Sequence, residues 1–230
     1  LYATEVMDGR VSVREAGGAT RVLRDDLPCA NGITVHQDRL FINECRDGGR
    51  VMELDRATGA SRILLEDLPS PNAMEVGPDG MLYYPLMTAN EIWRIDPEGG
   101  EPQRVTGDLG VPDAVKFDSQ GYLVSTQVAS GQVLRIDPRS GEKTLLAQPG
   151  GLNWPLDLTI GDDGRLYVAD GTYFYAVGAD GSLDTVGMLF TPGYPGFLRG
   201  LAPAGGGAFV VATSGGQIAR YRPADGETDY

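Results

Sequence analysis

Apolar and polar residues alternate along this chain in short runs, four to a unit, and the unit recurs. Residues 27–44 read LPCANGITVHQDRLFINE, residues 68–85 LPSPNAMEVGPDGMLYYP, and residues 109–126 LGVPDAVKFDSQGYLVST. Aligned on a short polar residue, the copies give Asn31, Asn72 and Asp113 at intervals of 41 and 41. Asp157 in PLDLTIGDDGRLYVAD follows 44 residues later, and Arg199 in LRGLAPAGGGAFVVA 42 after that. Each copy continues with a turn (HQD, GPDG, DSQG, GDDG, AGGG) and an apolar run (RLFIN, MLYYP, YLVST, RLYVA, AFVVA). A third run follows (RVMELD, EIWRID, QVLRID, YFYAVG, QIARYR), and turns such as RATG, PEGG and PRSG lead to a fourth.

The runs are rich in Val, Ile, Leu and Tyr, roughly alternating, and too short for helices. Gly stands where positive φ is needed and Pro where a first corner wants φ near −65°. No amphipathic helix is evident. Four strands in about 40 residues, repeated, are the signature of a β-propeller blade. The expected fold is all-β, a six-bladed propeller with four-stranded antiparallel blades, forming one domain over 1–230. The blades are expected at 1–26 (partial), 27–67, 68–108, 109–148, 149–189 and 190–230. LYATE at Leu1–Glu5 matches LYYPL, LYVAD and LFINE, so the chain enters at a second strand, and the innermost strand of blade one is expected ahead of Leu1.

Composition narrows the function classes. Acidic residues number 32 and basic ones 19, a net charge of −13 that repels phosphate backbones and anionic lipid. Nucleic-acid and membrane partners are not expected; a small-molecule substrate is. No apolar stretch reaches the ~18 residues of a membrane-spanning helix. No signal peptide is read, and a cytoplasmic location is expected. Two cysteines, Cys29 and Cys45, flank one hairpin and could face each other across it; two buried free thiols are the expectation.

In a propeller the first strand of each blade lines the channel. Asn31, Asn72, Asp113 and Asp157 then bring side-chain oxygens to one mouth, a donor set suited to a hard cation. Asn and Asp before strands also serve as turn formers bonded to their own backbone. Two carboxylates at adjacent channel positions repel one another unless a cation or shared proton compensates. His36, the one histidine, falls in a turn at the opposite mouth, which disfavours histidine-based hydrolysis. Glu5, Glu44, Gln127 and Asp170 end second strands and are expected as solvated rim residues or turn partners. Arg199 could clamp a substrate carboxylate or phosphate, or balance Asp157 or Asp170. Trp154, Tyr194 and Phe197 lie on loops that could wall a ring-shaped substrate.

These phrases, together with CANGITV, VPDAVKFDSQGYLV, IWRIDPEGG and WPLDLTIGDDGRLYVAD, resemble the senescence marker protein (regucalcin)/gluconolactonase-like family over nearly the whole chain. Streptogramin-type lyases, strictosidine-synthase-like proteins and NHL repeats share the blade grammar. The resemblance implies six blades around one divalent metal, calcium first, magnesium or zinc as alternatives. By that resemblance Asn72, Asp113 and Asp157 are metal ligands, Asp113 standing where the family has Asn, and the family's Glu belongs to the strand ahead of Leu1. Asn31, Arg199, Trp154 and Tyr194 are the expected substrate-binding residues. The implied activity is metal-dependent opening of a cyclic ester, with Asp157 as catalytic base, one oxygen on the metal and one free. The alternatives are a metal-dependent lyase or isomerase on the same scaffold, and a non-catalytic ligand- or protein-binding propeller.

Overall fold

A computed structural model describes residues 1–147, 151–189 and 197–229. Every regular element in them is a β-strand, and no helix among the described residues is long and apolar enough to cross a membrane. The strands form six antiparallel sheets, each a meander, and the fold is a six-bladed β-propeller.

The chain divides into two compact units. In the first, Leu1–Asp108, blade one holds β1 (Tyr2–Glu5), β2 (Arg10–Arg14) and β3 (Thr20–Arg24). Blade two holds β4 (Ala30–His36), β5 (Arg39–Glu44), β6 (Asp47–Leu54) and β7 (Ser61–Pro69). Blade three holds β8 (Glu75–Val76), β9 (Leu82–Leu86), β10 (Glu91–Ile95) and β11 (Gln103–Thr106). In the second unit, Leu109–Tyr230, blade four holds β12 (Pro112–Phe117), β13 (Leu123–Gln127), β14 (Gln132–Ile136) and β15 (Lys143–Ala147). Blade five holds β16 (Pro155–Ile160), β17 (Leu166–Asp170), β18 (Tyr173–Val177) and β19 (Leu183–Met188). Blade six holds β20 (Leu198–Gly205), β21 (Ala208–Thr213), β22 (Ile218–Arg222) and β23 (Glu227–Asp229). As expected from LYATE, blade one has three strands.

The core lies in slabs between neighbouring blades. Leu27, Leu40, Ile42 and Met52 of blade two pack on Val11 and Leu23 of blade one. Phe41 and Val51 pack on Leu82, Tyr84 and Ile95 of blade three. In the second unit Tyr167 and Phe174 meet Phe209 and Tyr221. The second strands β9, β13 and β17 are buried at every position. A strand buried on both faces needs no polar side, so LYYPL reads as a continuous apolar run rather than an alternation.

Within each unit the first strands of successive four-stranded blades pack together: β4 on β8, then β12 on β16 and β16 on β20; β1, a second strand by its sequence, packs on β4. The opening strand of each four-stranded blade is therefore its innermost, as the propeller reading requires.

The cysteines depart from expectation. Cys29 and Cys45 form a disulfide, not free thiols. They extend the Ala30–Glu44 pairing of β4 and β5 by one step, which brings their Cα atoms to 5.2 Å, within bridging range.

Candidate functional site

The innermost strands of blades two to six each carry an irregularity at the recurrent polar position, and β20 has a second one between Pro203 and Gly205. In blade two, Ala30 pairs with Glu44 and Ile33 with Ile42, so a step of three residues on β4 meets two on β5. In blade four the pairs are Pro112–Gln127 and Val115–Ser125, again three against two. In blade five they are Pro155–Asp170 and Asp157–Ala169, two against one; in blade six, Leu198–Thr213 and Gly200–Ala212, two against one. In blade three an isolated bridge, Pro71–Leu86, precedes Glu75–Tyr83, four against three. One extra residue is a β-bulge, which bends the strand and re-aims a side chain. The repeated residues Asn31, Asn72, Asp113, Asp157 and Arg199 sit within or beside these bulges.

Three copies share a further feature. Cys29, Ser70 and Val111 have φ of 62°, 51° and 58°, and each lies two residues before Asn31, Asn72 or Asp113. Left-handed backbone is costly for L-residues other than Gly, most of all for a β-branched one such as Val111. Asp157 and Arg199 lack this entry. Asn31, Asn72 and Asp113 are thus one structural set, and the last two copies are variants of it.

A bulge leaves a main-chain N–H without its ladder partner, and a buried N–H needs an acceptor. In blade two the N–H of Gly32, just after Asn31, donates to Asn43 Oδ1 at 2.9 Å. In blade four the N–H of Ala114, just after Asp113, donates to Thr126 Oγ1 at 3.0 Å. Asn43 and Thr126 occupy the same position on their second strands, one residue before the strand end. In blade five that position is Ala169, which has no side-chain acceptor. There Asp157 takes the duty itself: its Oδ1 accepts the N–H of Leu158 at 2.8 Å and its Oδ2 that of Leu201, in β20, at 2.7 Å. The expectation that Asp157 keeps one oxygen free is therefore corrected. Its carboxylate fastens its own bulge and ties blade five to blade six.

Asn72 belongs to the first unit. It is buried; its Oδ1 accepts Nδ2 of Asn31, and its own Nδ2 donates to Met87 Sδ at 2.7 Å. Asn43 Nδ2 also donates to the Asn72 carbonyl. The amides of blades two and three thus form a network that includes Asn43, a residue hidden in the sequence among the apolar letters of FINE. Asp113 and Asp157 belong to the second unit; Asp113 is 7% exposed.

The second-strand ends are not solvated. Glu44, Gln127 and Asp170 are buried. Gln127 Oε1 accepts the N–H of Gly110 at 2.9 Å, and Glu44 pairs with Arg46 and Arg50. The Arg10 guanidinium and the Ser12 hydroxyl hold the Glu5 carboxyl below its ordinary range against the opposing effect of burial. These residues are turn partners, the other half of the expectation. Arg199 makes no ion pair among the described residues; its guanidinium carbon lies 5.9 Å from the centre of the Trp154 ring. Trp154 meets Phe197 edge to face at 5.0 Å. Tyr194 lies outside the described residues. His36 ends β4 opposite Arg39, at the far end of the strand from Asn31. An open depression of about 590 Å³ around Met7, Asp8 and Leu27 contains none of the expected site residues.

Among the described residues no group of three or more His, Cys, Asp and Glu side chains is placed to hold a metal ion. Asp113 and Asp157 are nonetheless hard oxygen donors. A calcium or magnesium ion would suit them, drawing the rest of its shell from amide carbonyls and water.

An all-β propeller with a short polar residue recurring on its innermost strands defines a recognisable class. Residues 39–172 match the SMP-30/gluconolactonase/LRE-like region, and the chain belongs to this family. A gluconolactonase from Xanthomonas campestris is similar at 21% identity and a TM-score of 0.77, over 94% of this chain and 79% of its own. A catalytically inactive virginiamycin B lyase from Staphylococcus aureus, solved with quinupristin, is similar at 16% identity and a TM-score of 0.74, over 95% and 75%. A chain of the nidogen/laminin complex reaches a TM-score of 0.80 at 12% identity, over 97% and 89%. At such identities these structures share the fold alone. No curated protein matches the sequence.

Proposed function

We propose that this protein is a divalent-metal-dependent hydrolase of the lactonase type. Membership of a family that includes gluconolactonases supports the class. The observation that carries the reading to particular residues is that each Asp157 oxygen accepts a main-chain N–H, which suits it to a fixed rather than a proton-transferring role. In blade four the corresponding bulge N–H goes to Thr126. Asp113, buried on the innermost strand of that blade, is the general base of this reading, drawing a proton from the attacking water. Asp157, with one N–H already on each oxygen, serves as a fixed anionic oxygen donor. A bound cation would polarise the ester carbonyl and stabilise the oxyanion. Calcium fits this donor chemistry best, with magnesium or zinc as alternatives.

The test is lactone opening in the presence and absence of chelator, with metal content measured on the same protein. Asp113→Asn should cut kcat by at least 10²-fold, the usual contribution of a general base. Full turnover in excess EDTA, or by Asp113→Asn, would reject this mechanism. The likeness to virginiamycin B lyase supports a second reading, elimination on the same scaffold. Labelled water separates the two: hydrolysis puts its oxygen into the product, and elimination does not.

A further inference from the structure

Arg199, Trp154 and Phe197 form a small surface that no step above requires. Trp154 is 40% exposed and Arg199 is exposed. The Phe197 ring stands on the indole edge to face at 5.0 Å, and the guanidinium lies 5.9 Å from the indole centre. Trp154 and Phe197 lie on two loops and Arg199 at the start of β20; the first loop is fastened by the buried Asp170 carboxylate and the second by Ser214. The Asp170 carboxylate accepts the N–H of Asn153 at 3.0 Å and that of Trp154. Asp170 is 2% exposed, so this strut is shielded from water. On the other side the N–H of Phe197 donates to Ser214 Oγ at 2.8 Å, and Ser214 N–H returns to the Phe197 carbonyl at 2.9 Å. Gly171 bridges the loops: its N–H donates to the Trp154 carbonyl at 3.3 Å and its carbonyl accepts from Leu198 at 2.7 Å. Arg199 is the extra residue of the blade-six bulge, which turns it out of the ladder.

An exposed indole, a ring set across it, and a guanidinium without an ion pair among the described residues are held in place before any ligand arrives. Preorganisation of this kind lowers the ordering cost of binding. On a chain of net charge −13, such a cation is also a local exception. We infer that Trp154, Phe197 and Arg199 form a subsite for a ring-bearing carboxylate, the ring lying on the indole and the carboxylate pairing with Arg199, with Asp170 as the positioning residue. Arg pairs with carboxylate in a planar, two-pronged geometry that a neutral amide cannot match. The inference deepens the hydrolase reading by making its substrate an anionic lactone, and it rests on that reading only for turnover.

Two arms test it. The chain has two tryptophans, so Trp93→Phe leaves Trp154 as the sole indole, which can be excited selectively over tyrosine. Benzoate should quench it saturably, and benzamide should bind at least about tenfold more weakly, the difference a charge-assisted pair makes. Arg199→Gln should bring benzoate down to the benzamide level without moving the thermal midpoint, and Arg199→Lys should keep part of the difference. Equal binding of benzoate and benzamide, or unchanged benzoate affinity in Arg199→Gln, overturns the subsite. In the second arm, kcat/KM for 5-oxotetrahydrofuran-2-carboxylate over that for γ-butyrolactone should fall about tenfold in Arg199→Gln. If neither lactone opens while benzoate binding follows Arg199, the hydrolase reading fails and the subsite stands. If both open with a ratio indifferent to Arg199, the subsite fails and the hydrolase reading stands.

Discussion

Asp157→Asn keeps the size of the side chain and removes half of its accepting capacity. In the native chain Oδ1 accepts from Leu158 at 2.8 Å and Oδ2 from Leu201 at 2.7 Å. An amide has one oxygen, so its NH₂ must face one of these two N–H donors. A hydrogen bond to a charged group contributes about 1.5–3 kcal/mol, and its loss here leaves a donor facing a donor. Leu158 is fully buried and Leu201 nearly so, so water cannot readily replace the acceptor. The expected cost is therefore about 2–3 kcal/mol, which for a chain of this size lowers the melting temperature by roughly 4–12 °C. Urea denaturation followed by intrinsic fluorescence measures it, with Asp113→Asn as the comparison. In that blade the N–H beside the carboxylate goes to Thr126 instead. The measurement is made with chelator present, so that lost cation binding does not enter. An Asp157→Asn midpoint equal to that of the parent would refute the division of labour between the two carboxylates.

Other perturbations follow from the same geometry. Gly32→Ala should unfold blade two or cost at least 2–3 kcal/mol: its Cβ would overlap the Asn72 carbonyl and approach Asn43 Nδ2 at 2.8 Å and Ala73 Cα at 2.9 Å. Thermal denaturation reads it, and an unchanged midpoint refutes it. Replacing Cys29 and Cys45 by Ser removes a cross-link spanning 16 residues, expected to cost about 3 kcal/mol on chain-entropy grounds. Denaturation of parent and variant, each with and without reductant, should show the same loss by either route. Glu53 lies between Arg39 and Arg62, and both guanidiniums hold its carboxyl below the ordinary 4.5, Arg39 most strongly. A carboxyl lowered on folding adds stability that is present above pH 4.5 and fades as pH falls through the folded value. Glu53→Gln should therefore cost stability at neutral pH and little at pH 2–3, read as the gap between two stability–pH curves. A gap that widens toward acid refutes the assignment.

The blades were legible in the sequence because four strands and their turns set a fixed spacing. Asp and Gly at the corners, as in GPDG and GDDG, mark that spacing without reference to any partner. The bulges were not legible. An extra residue exists only relative to the strand opposite, and nothing in PNAME or PDAVK announces it. The left-handed entries were hidden for a related reason: Cys29, Ser70 and Val111 adopt a conformation that Gly usually signals. The division of labour between Asp113 and Asp157 turns on a residue of another strand, Thr126 in one blade and Ala169 in the other. Once the blades are aligned, that difference can be read from LVSTQ and LYVAD. The cysteines were placed opposite each other by the hairpin pattern, but whether they bridge depends on a Cα separation that pattern does not supply. Burial of Glu44, Gln127 and Asp170 was missed because strand ends usually face water. Here neighbouring blades and the incoming loops cover them.

The Cys29–Cys45 bridge also bears on habitat. Thiol pairs stay joined in secreted, periplasmic or lumenal settings and are opened in the cytosol by glutathione and thioredoxin. Inside a reducing cell the entry to blade two would rest on hydrogen bonds alone, next to the amide network that joins Asn31 to Asn72. The covalently closed form is the one that an oxidising compartment would preserve.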